Sequence, residues 1–291
     1  MLMLLSFFMS MLLTNDVTLV TVVPFTLLMF EKISGEEKPQ AQIVLLVLET
    51  AAANLGSMLT PMGNPQNLYL YSNFELSVSE FFGIIFPYSA LSLIMLICSV
   101  FLFLPKLETE KPGGSGKIHE KYKLIIFIVL FILNMLTILR VLDDKILLLI
   151  VAAAVLVIDR KLFLQADYSL LLTFVFFFIF VGNLGALPAL SESLQNIFRG
   201  REVGISVLLS QIISNVPAAL LLSGISDNAK ALIIGTNLGG LGTLIASMAS
   251  LITYKFYAKT ENSSPKKYIL IFTLFNVCYL AVLGGMYFLL S

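Results

Sequence analysis

Long apolar runs alternate with short polar ones along these 291 residues: 1–30, 41–72, 81–104, 122–139, 145–158, 168–190, 203–224, 229–254 and 268–290. Several reach the roughly 20 residues that a helix needs to cross a bilayer. Four are interrupted near the middle, where a membrane helix should be most uniform. The interruptions read "LLTNDVTL" in 1–30, "ANLGSMLTPMGNP" in 41–72, "QIISNVPAAL" in 203–224 and "TNLGGLGTLIASM" in 229–254. Pro61, Gly63, Asn64 and Pro65 break a helix and free backbone groups that hydrocarbon cannot satisfy. Such backbone is tolerated at membrane depth where it is buried in protein or lines a watered cavity.

The pattern predicts an all-α polytopic membrane protein, and composition agrees. The chain is 58% hydrophobic and 12% charged, with mean hydropathy +0.95. Zero net charge gives no argument for nucleic acid. The first basic residue is Lys32, so the apolar start lacks the basic region of a signal peptide. One histidine, His119, and no HExxH exclude a zinc intramembrane protease. Neither a serine elbow nor a nucleophile–base pair is visible, so no enzyme is expected, and no P-loop suggests ATP. Cys98 and Cys278 lie in apolar runs and read as buried hydrophobes rather than a disulfide or a metal site.

Arms of about 11–14 residues flank each interruption in 1–30 and 203–224, roughly 17–20 Å of helix and too short for a ~30 Å core. Both segments read as re-entrant helical hairpins. If they enter and leave on one side, 13 Lys and Arg fall on the side of the polar linker 105–123 and 5 on the other, as the positive-inside rule requires. The first hairpin then opens to the cytoplasm and the second to the outside.

The two hairpins head units of matching grammar. The first repeat is 1–104: hairpin 1–30, broken helix 41–72, helix 81–104. After the cytoplasmic linker 105–123, the second is 124–291: helices 124–139, 145–158 and 168–190, hairpin 203–224, broken helix 229–254, helix 268–290. Asn15 matches Asn215, and Asn54-Leu55-Gly56 matches Asn237-Leu238-Gly239. Repeats entering from opposite faces mark an inverted-repeat secondary transporter, with its site at the midplane.

The motifs "TNDVTLVTVVP", "TPMGNPQN", "SQIISNVPAALLLS" and "GTNLGGLGTLIASMASL" resemble those of the ion transporter superfamily, above all its citrate-transporter-like and arsenite-permease-like members. Divalent-anion/sodium symporters and a sodium/proton antiporter branch belong to the same group. The resemblance covers nearly the whole chain. It implies an elevator-type carrier, usually dimeric, of a bacterial-type inner membrane, moving a small anion or oxyanion with Na+ or H+ and holding no cofactor. In the sodium/carboxylate branch the hairpin tip reads Ser-Asn-Thr and touches sodium and the carboxylate. Here the tips are Thr14-Asn15-Asp16 and Ser214-Asn215-Val216, so the asparagines carry over and the third-position threonines do not. Nothing before the first hairpin matches the three helices before the second, so an N-terminally truncated member is expected.

Candidate chemistry concentrates in the interruptions. Intramembrane carboxylates mark ion or proton sites by default; Asp16 is one, although Asn15 and Asp16 also suit the N-cap of the returning arm. Glu49 shares a helix face with Ala52, Ala53 and Gly56, so it reads as a coupling-ion ligand or as an interfacial acid in the cytoplasmic vestibule. Asn15, Asn54, Asn64, Asn215 and Asn237 offer oxygens for sodium, or ordinary interhelical hydrogen bonds. Thr14 and Ser214 belong to the tips; Thr60, Thr243 and Ser247 are candidate hydroxyl ligands, or bond their own backbone. Gly56, Gly63 and Gly239, like Gly240 and Gly242, allow close backbone approach or simple small-residue packing. All 18 Lys and Arg fall in loops or segment ends. An anion at midplane would need half-helix N-termini, backbone N–H and bound sodium. Two rivals remain: a Na+/H+ antiporter, and a non-transporting membrane subunit or fragment.

Overall fold

A computed structural model describes residues 1–31, 33, 35, 37–105, 121–165, 168, 172, 175, 176, 179, 180, 183, 198–261 and 263–290. Most of the polar linker and most of the expected helix 168–190 lie outside the described residues. Among those described, the secondary structure is helical, with no strand. The chain forms two compact units, Met1–Glu110 with Phe177–Ser291, and Lys111–Phe176.

The smaller unit holds α6 (Lys121–Ile138), α7 (Asp144–Asp159) and the short α8 (Lys161–Gln165), with α6 packed on α7. Asp143 caps α7 by accepting from Lys145 N and Ile146 N. The sequence reading has a plain loop where α8 lies.

The larger unit opens with α1 (Leu2–Leu13) and α2 (Asn15–Glu31), separated by Thr14 alone. Next come α3 (Lys38–Ser57), a single 3₁₀ turn (Pro61–Gly63), α4 (Pro65–Asn73) and α5 (Val78–Phe103). Its second part repeats the grammar: α9 (Glu202–Ile213) and α10 (Asn215–Ser223) separated by Ser214, then α11 (Ala229–Gly239), α12 (Met248–Ala258) and α13 (Pro265–Leu290). α2 has 17 residues, longer than the arm expected from sequence; the helix runs on through Pro24 to Glu31.

Local chemistry fixes the ends. Pro39 starts α3, where a missing N–H costs nothing, and Pro61 stops the chain from continuing it. α5 begins on a capping box: Ser77 Oγ accepts from Glu80 N, and Glu80 accepts from Ser77 N at 2.8 Å. Asn228 caps α11 through Ala231 N at 3.1 Å. α5 and α13, 26 residues each, are long and apolar enough to cross a membrane, and Tyr279 joins them by donating to Ser99 Oγ at 2.7 Å.

α3 is the axis of this unit. It is buried from Leu46 through Ser57 and packs against α1, α2, α5, α12 and α13. α1 ascends with it, since the Phe7 carbonyl lies against Gly56 and the Met11 carbonyl accepts from Thr60. α2 descends, since Asn15 meets Asn54, Thr26 meets Glu49, and Phe30 packs with Ala41. In the second part α9 ascends with α11 in the same way: Ser206 lies against Gly235 and Ser210 against Gly239. The two parts interlock. α4 packs on α10 and α11, with Tyr69 hydrogen-bonded to Ser223 at 2.7 Å; α12 packs on α2 and α3, with Thr50 donating to Thr253 at 2.9 Å. An apolar core of Leu19, Val23, Ile43, Leu46, Tyr257, Tyr268 and Phe272 closes that seam.

Cys98 and Cys278 are free but exposed, not buried as the sequence suggests, because each sits on the outward face of its helix.

Candidate functional site

Both helix breaks have one geometry. Thr14 has φ 70° and ψ 154°; Ser214 has φ 72° and ψ 155°. Side chains other than glycine rarely adopt this region, which costs of order 1–3 kcal/mol and persists only when its surroundings impose it. Each break residue is followed by a buried asparagine, Asn15 or Asn215. At the first break Thr14, rather than Asn15 or Asp16, takes the capping position, with Oγ1 accepting from Val17 N at 3.4 Å. Asn15 Oδ1 accepts from Asp16 N at 2.9 Å, while its Nδ2 turns inward. At the second, Asn215 N donates to the Ala246 carbonyl at 3.0 Å, and Ser214 Oγ donates to the same oxygen at 3.4 Å.

A polar network runs between these points. Asn15 donates to Asn54 Oδ1 at 2.9 Å, and Ser247 Oγ donates to the same oxygen at 3.0 Å. Ser57 Oγ donates to the Asn54 carbonyl and accepts from Asn64 Nδ2 at 2.7 Å. Asn67 Nδ2 faces the carbonyls of Ser57, Met58 and Thr60 at 3.3–3.4 Å, closing the exposed end of α3. Its Oδ1 accepts from Asn237 at 2.7 Å. Asn15, Asn54, Asn64 and Asn237 thus belong to one connected system drawn from both parts of the chain.

The network is incomplete. Asp16 Oδ1, Asn54 Nδ2, Asn64 Oδ1 and Asn237 Oδ1 are buried without a hydrogen-bond partner, as are both amide atoms of Gln66. Buried polar groups are nearly always paired, so each orphan calls for a ligand, a water or an ion. Donors and acceptors are both left over, and among the described residues no cationic side chain belongs to the network.

The predicted glycines are approach points. A Cβ on Gly56 would strike the Phe7 carbonyl, and one on Gly239 would strike the Ser210 side chain. Gly63 packs against the Ser57 carbonyl. Thr60 donates to the Met11 carbonyl and caps the 3₁₀ turn through Gly63 N, so its hydroxyl is committed to structure. Thr243 is exposed; its N–H donates to Gln211 Oε1 at 2.8 Å. Gln211 Nε2 also donates to the Gly239 and Leu241 carbonyls at 2.9 Å, satisfying the broken end of α11.

Glu49 stands apart. It is wholly buried and accepts from Thr26 Oγ1 at 2.7 Å, while Oε2 has no partner. Ala52, Ala53 and Gly56 on its face are buried with it. Asp16 lies in the first turn of α2, at the opposite end from Thr26.

Sequence reasoning passes over Ser57, Gln66, Asn67 and Gln211. The clue for Gln211 is its place one turn before Ser214; for Asn67 it is the Pro65 that sets its helix. Ser6 and Ser10, and Ser206 and Ser210, recur at helical spacing before each break and are all buried.

Comparison with known proteins finds relatives among transporters. The family model CitMHS, citrate transporter, matches residues 1–231. An uncharacterized transporter of Methanocaldococcus jannaschii, MJ0456, is 35% identical over 284 residues, covering 96% of this chain and 76% of that protein. The inner membrane protein YbiR of Escherichia coli is 33% identical over 249 residues, 84% of this chain and 66% of its own length. The silicon efflux transporter LSI3 of Oryza sativa subsp. japonica shares 37% identity over 93 residues, 31% of this chain and 18% of its own. The chain belongs to the citrate transporter family, and it is an integral membrane protein.

Proposed function

We propose that the chain is a secondary active transporter of a small anion or oxyanion, carboxylate-like or arsenite-like, driven by a Na+ or H+ gradient. The observation that carries this reading is the matched pair of breaks at Thr14 and Ser214, each followed by a buried asparagine and preceded by a serine, Ser10 or Ser210, that packs on a glycine of a broken helix. In this reading α1–α2 and α9–α10 are re-entrant hairpins, and residues 1–104 and 124–291 are repeats of inverted topology. The hairpins and broken helices move as an elevator against a scaffold, in a homodimer of a bacterial-type cell membrane. That YbiR is named an inner membrane protein supports the last point.

The two tips differ in charge. The unpartnered Asp16 carboxylate favours a cation at the first tip. α10 begins without an acidic residue, and a helix N-terminus favours an anion. Sodium at the first tip would help neutralise an anion that no Lys or Arg meets. Asn15, Asn54, Asn64, Asn215 and Asn237 supply the remaining oxygens and amides.

The test is uptake into proteoliposomes of labelled citrate, arsenite and silicic acid under an imposed Na+ or pH gradient. The reading predicts accumulation of one of them under one gradient. Accumulation of none would contradict it. Sodium efflux driven by a pH gradient without any anion would favour the antiporter reading, which the buried acid Glu49 supports.

A further inference from the structure

We propose that Glu49 is a proton-binding site, loaded from a cavity that opens along the seam between α2, α3 and α12. The proposal rests on the reading of the chain as an ion-coupled carrier and names the ion that this residue takes.

Glu49 has 0% exposure, and only one of its two carboxyl oxygens is paired. A buried carboxylate without a counter-charge is strongly disfavoured, so a proton or a metal cation must neutralise it here. Among the described residues, the neighbourhood supplies no basic side chain. α2 has no Lys, Arg or His, and Lys38, at the start of α3, lies three turns away. On α12, Lys255 is exposed; on α13, Lys266 and Lys267 lie at the exposed start. The Met1 ammonium at the start of α1 acts on Glu49 from an exposed position, where solvent screens it. Between Ser89 and Ser99, α5 carries only Cys98 as a titratable group, and it is exposed. The titratable groups that share the interior with Glu49 are Tyr257 of α12 and Tyr268 of α13.

The available oxygens suit a proton better than sodium. Thr26 already gives its hydrogen to Oε1. Thr50 and Thr253 are within hydrogen-bond reach of the Leu46 and Ala249 carbonyls of their own helices, and of each other. Thr26, Glu49 and Thr50 stand inside α2 and α3, whose ladders occupy the neighbouring carbonyls, whereas a hard cation needs several free oxygens. The Tyr268 hydroxyl is buried beside Glu49 and Thr50. It offers an acceptor for an acid proton.

A cavity approaches Glu49 from one side without reaching it. It measures about 710 Å³ and lies between the same three helices, with Leu27, Gln42 and Phe256 inside and Glu31, Lys38, Lys259 and Glu261 at its charged rim. Leu27 follows Thr26, and Phe256 lies one turn beyond Thr253. Gln42 stands two turns before Glu49, about 10 Å along the helix. The apolar residues Val23, Leu46 and Tyr257 close the intervening seam. A proton enters when α2 and α12 part, and the neutral acid is what this closed packing tolerates.

The test is pH-difference infrared spectroscopy of the full chain in lipid nanodiscs. The expected result is a carboxylic-acid C=O band that shifts in D2O, vanishes in Glu49→Gln and is unchanged by Na+. A band surviving in Glu49→Gln, or removed by Na+ at fixed pH, would overturn the proposal. Should Glu49→Gln fail to fold, Thr26→Val carries the test: it removes the donor to Oε1, so the band must move, and an unmoved band counts against the site. The spectrum reads protonation whether or not any solute moves, so failure of the transport reading leaves this result separate.

Discussion

Thr14 and Ser214 share one backbone conformation, φ 70° and ψ 154° in the first and φ 72° and ψ 155° in the second, each ending a helix of 12 residues. Two unrelated strained residues would not agree so closely. Each is held by its partner helix, α3 or α11, through a serine and a glycine at the same height: Ser10 with Gly56, and Ser210 with Gly239.

Strain at the breaks can be relieved. Glycine takes positive φ freely, and both break hydroxyls make only long hydrogen bonds of 3.4 Å. Thr14→Gly and Ser214→Gly should leave stability unchanged or raise it by about 1 kcal/mol. Transport should fall if the hydroxyls meet the ligand. Thr14→Val keeps the strain and loses the cap, so it should unfold at lower temperature. Thermal unfolding in detergent, beside uptake, reads both.

Gly56→Ala and Gly63→Ala should be the worst of the glycine substitutions, because their Cβ atoms meet the backbone carbonyls of Phe7 and Ser57. Overpacking of this kind costs roughly 1–3 kcal/mol. Gly239→Ala meets the Ser210 side chain instead, and Ser210→Gly in the same chain should restore part of the loss. Gly204→Ala has nothing within 4 Å and should be neutral. Expression level and melting temperature rank the variants.

The Asn67–Asn237 pair joins α4 to α11 at 2.7 Å. A double-mutant cycle with alanine at both positions should return a coupling of about 0.6–2 kcal/mol. Strict additivity would mean that the contact contributes nothing to stability.

The breaks were legible because polar residues in apolar runs are conspicuous: "TND", "SNV", "TPMGNP" and "TNLGG" fall where the helices end. The register of the asparagines was legible for the same reason. The network's other members were not. Asn67 lies in a stretch that also holds the half-exposed Tyr69, and only the fold shows that its amide closes α3 and reaches Asn237. Gln211 resembles any polar residue of a helix until α11 breaks beside it. Hydropathy cannot say which face of a uniformly apolar helix turns inward, so Cys98 and Cys278 were misassigned. The partnership of Glu49 with Thr26 needs α2 to descend along α3, a tertiary fact.

Exposed free thiols on outward faces bear no packing. Cys98→Ser and Cys278→Ser should each change stability by no more than about 0.5 kcal/mol. Migration on gels should be the same with and without reductant. A larger loss would place these faces in a packed interface.

The central claim is that the paired breaks and their asparagine network hold what the protein moves. Gradient-driven uptake into proteoliposomes tests it most directly, comparing the unaltered chain with Asn15→Ala and Asn237→Ala at equal folded protein. Loss of one polar contact to a charged solute or ion predicts rates lower by about tenfold or more in each variant. Rates equal to those of the unaltered chain in both variants would contradict the account.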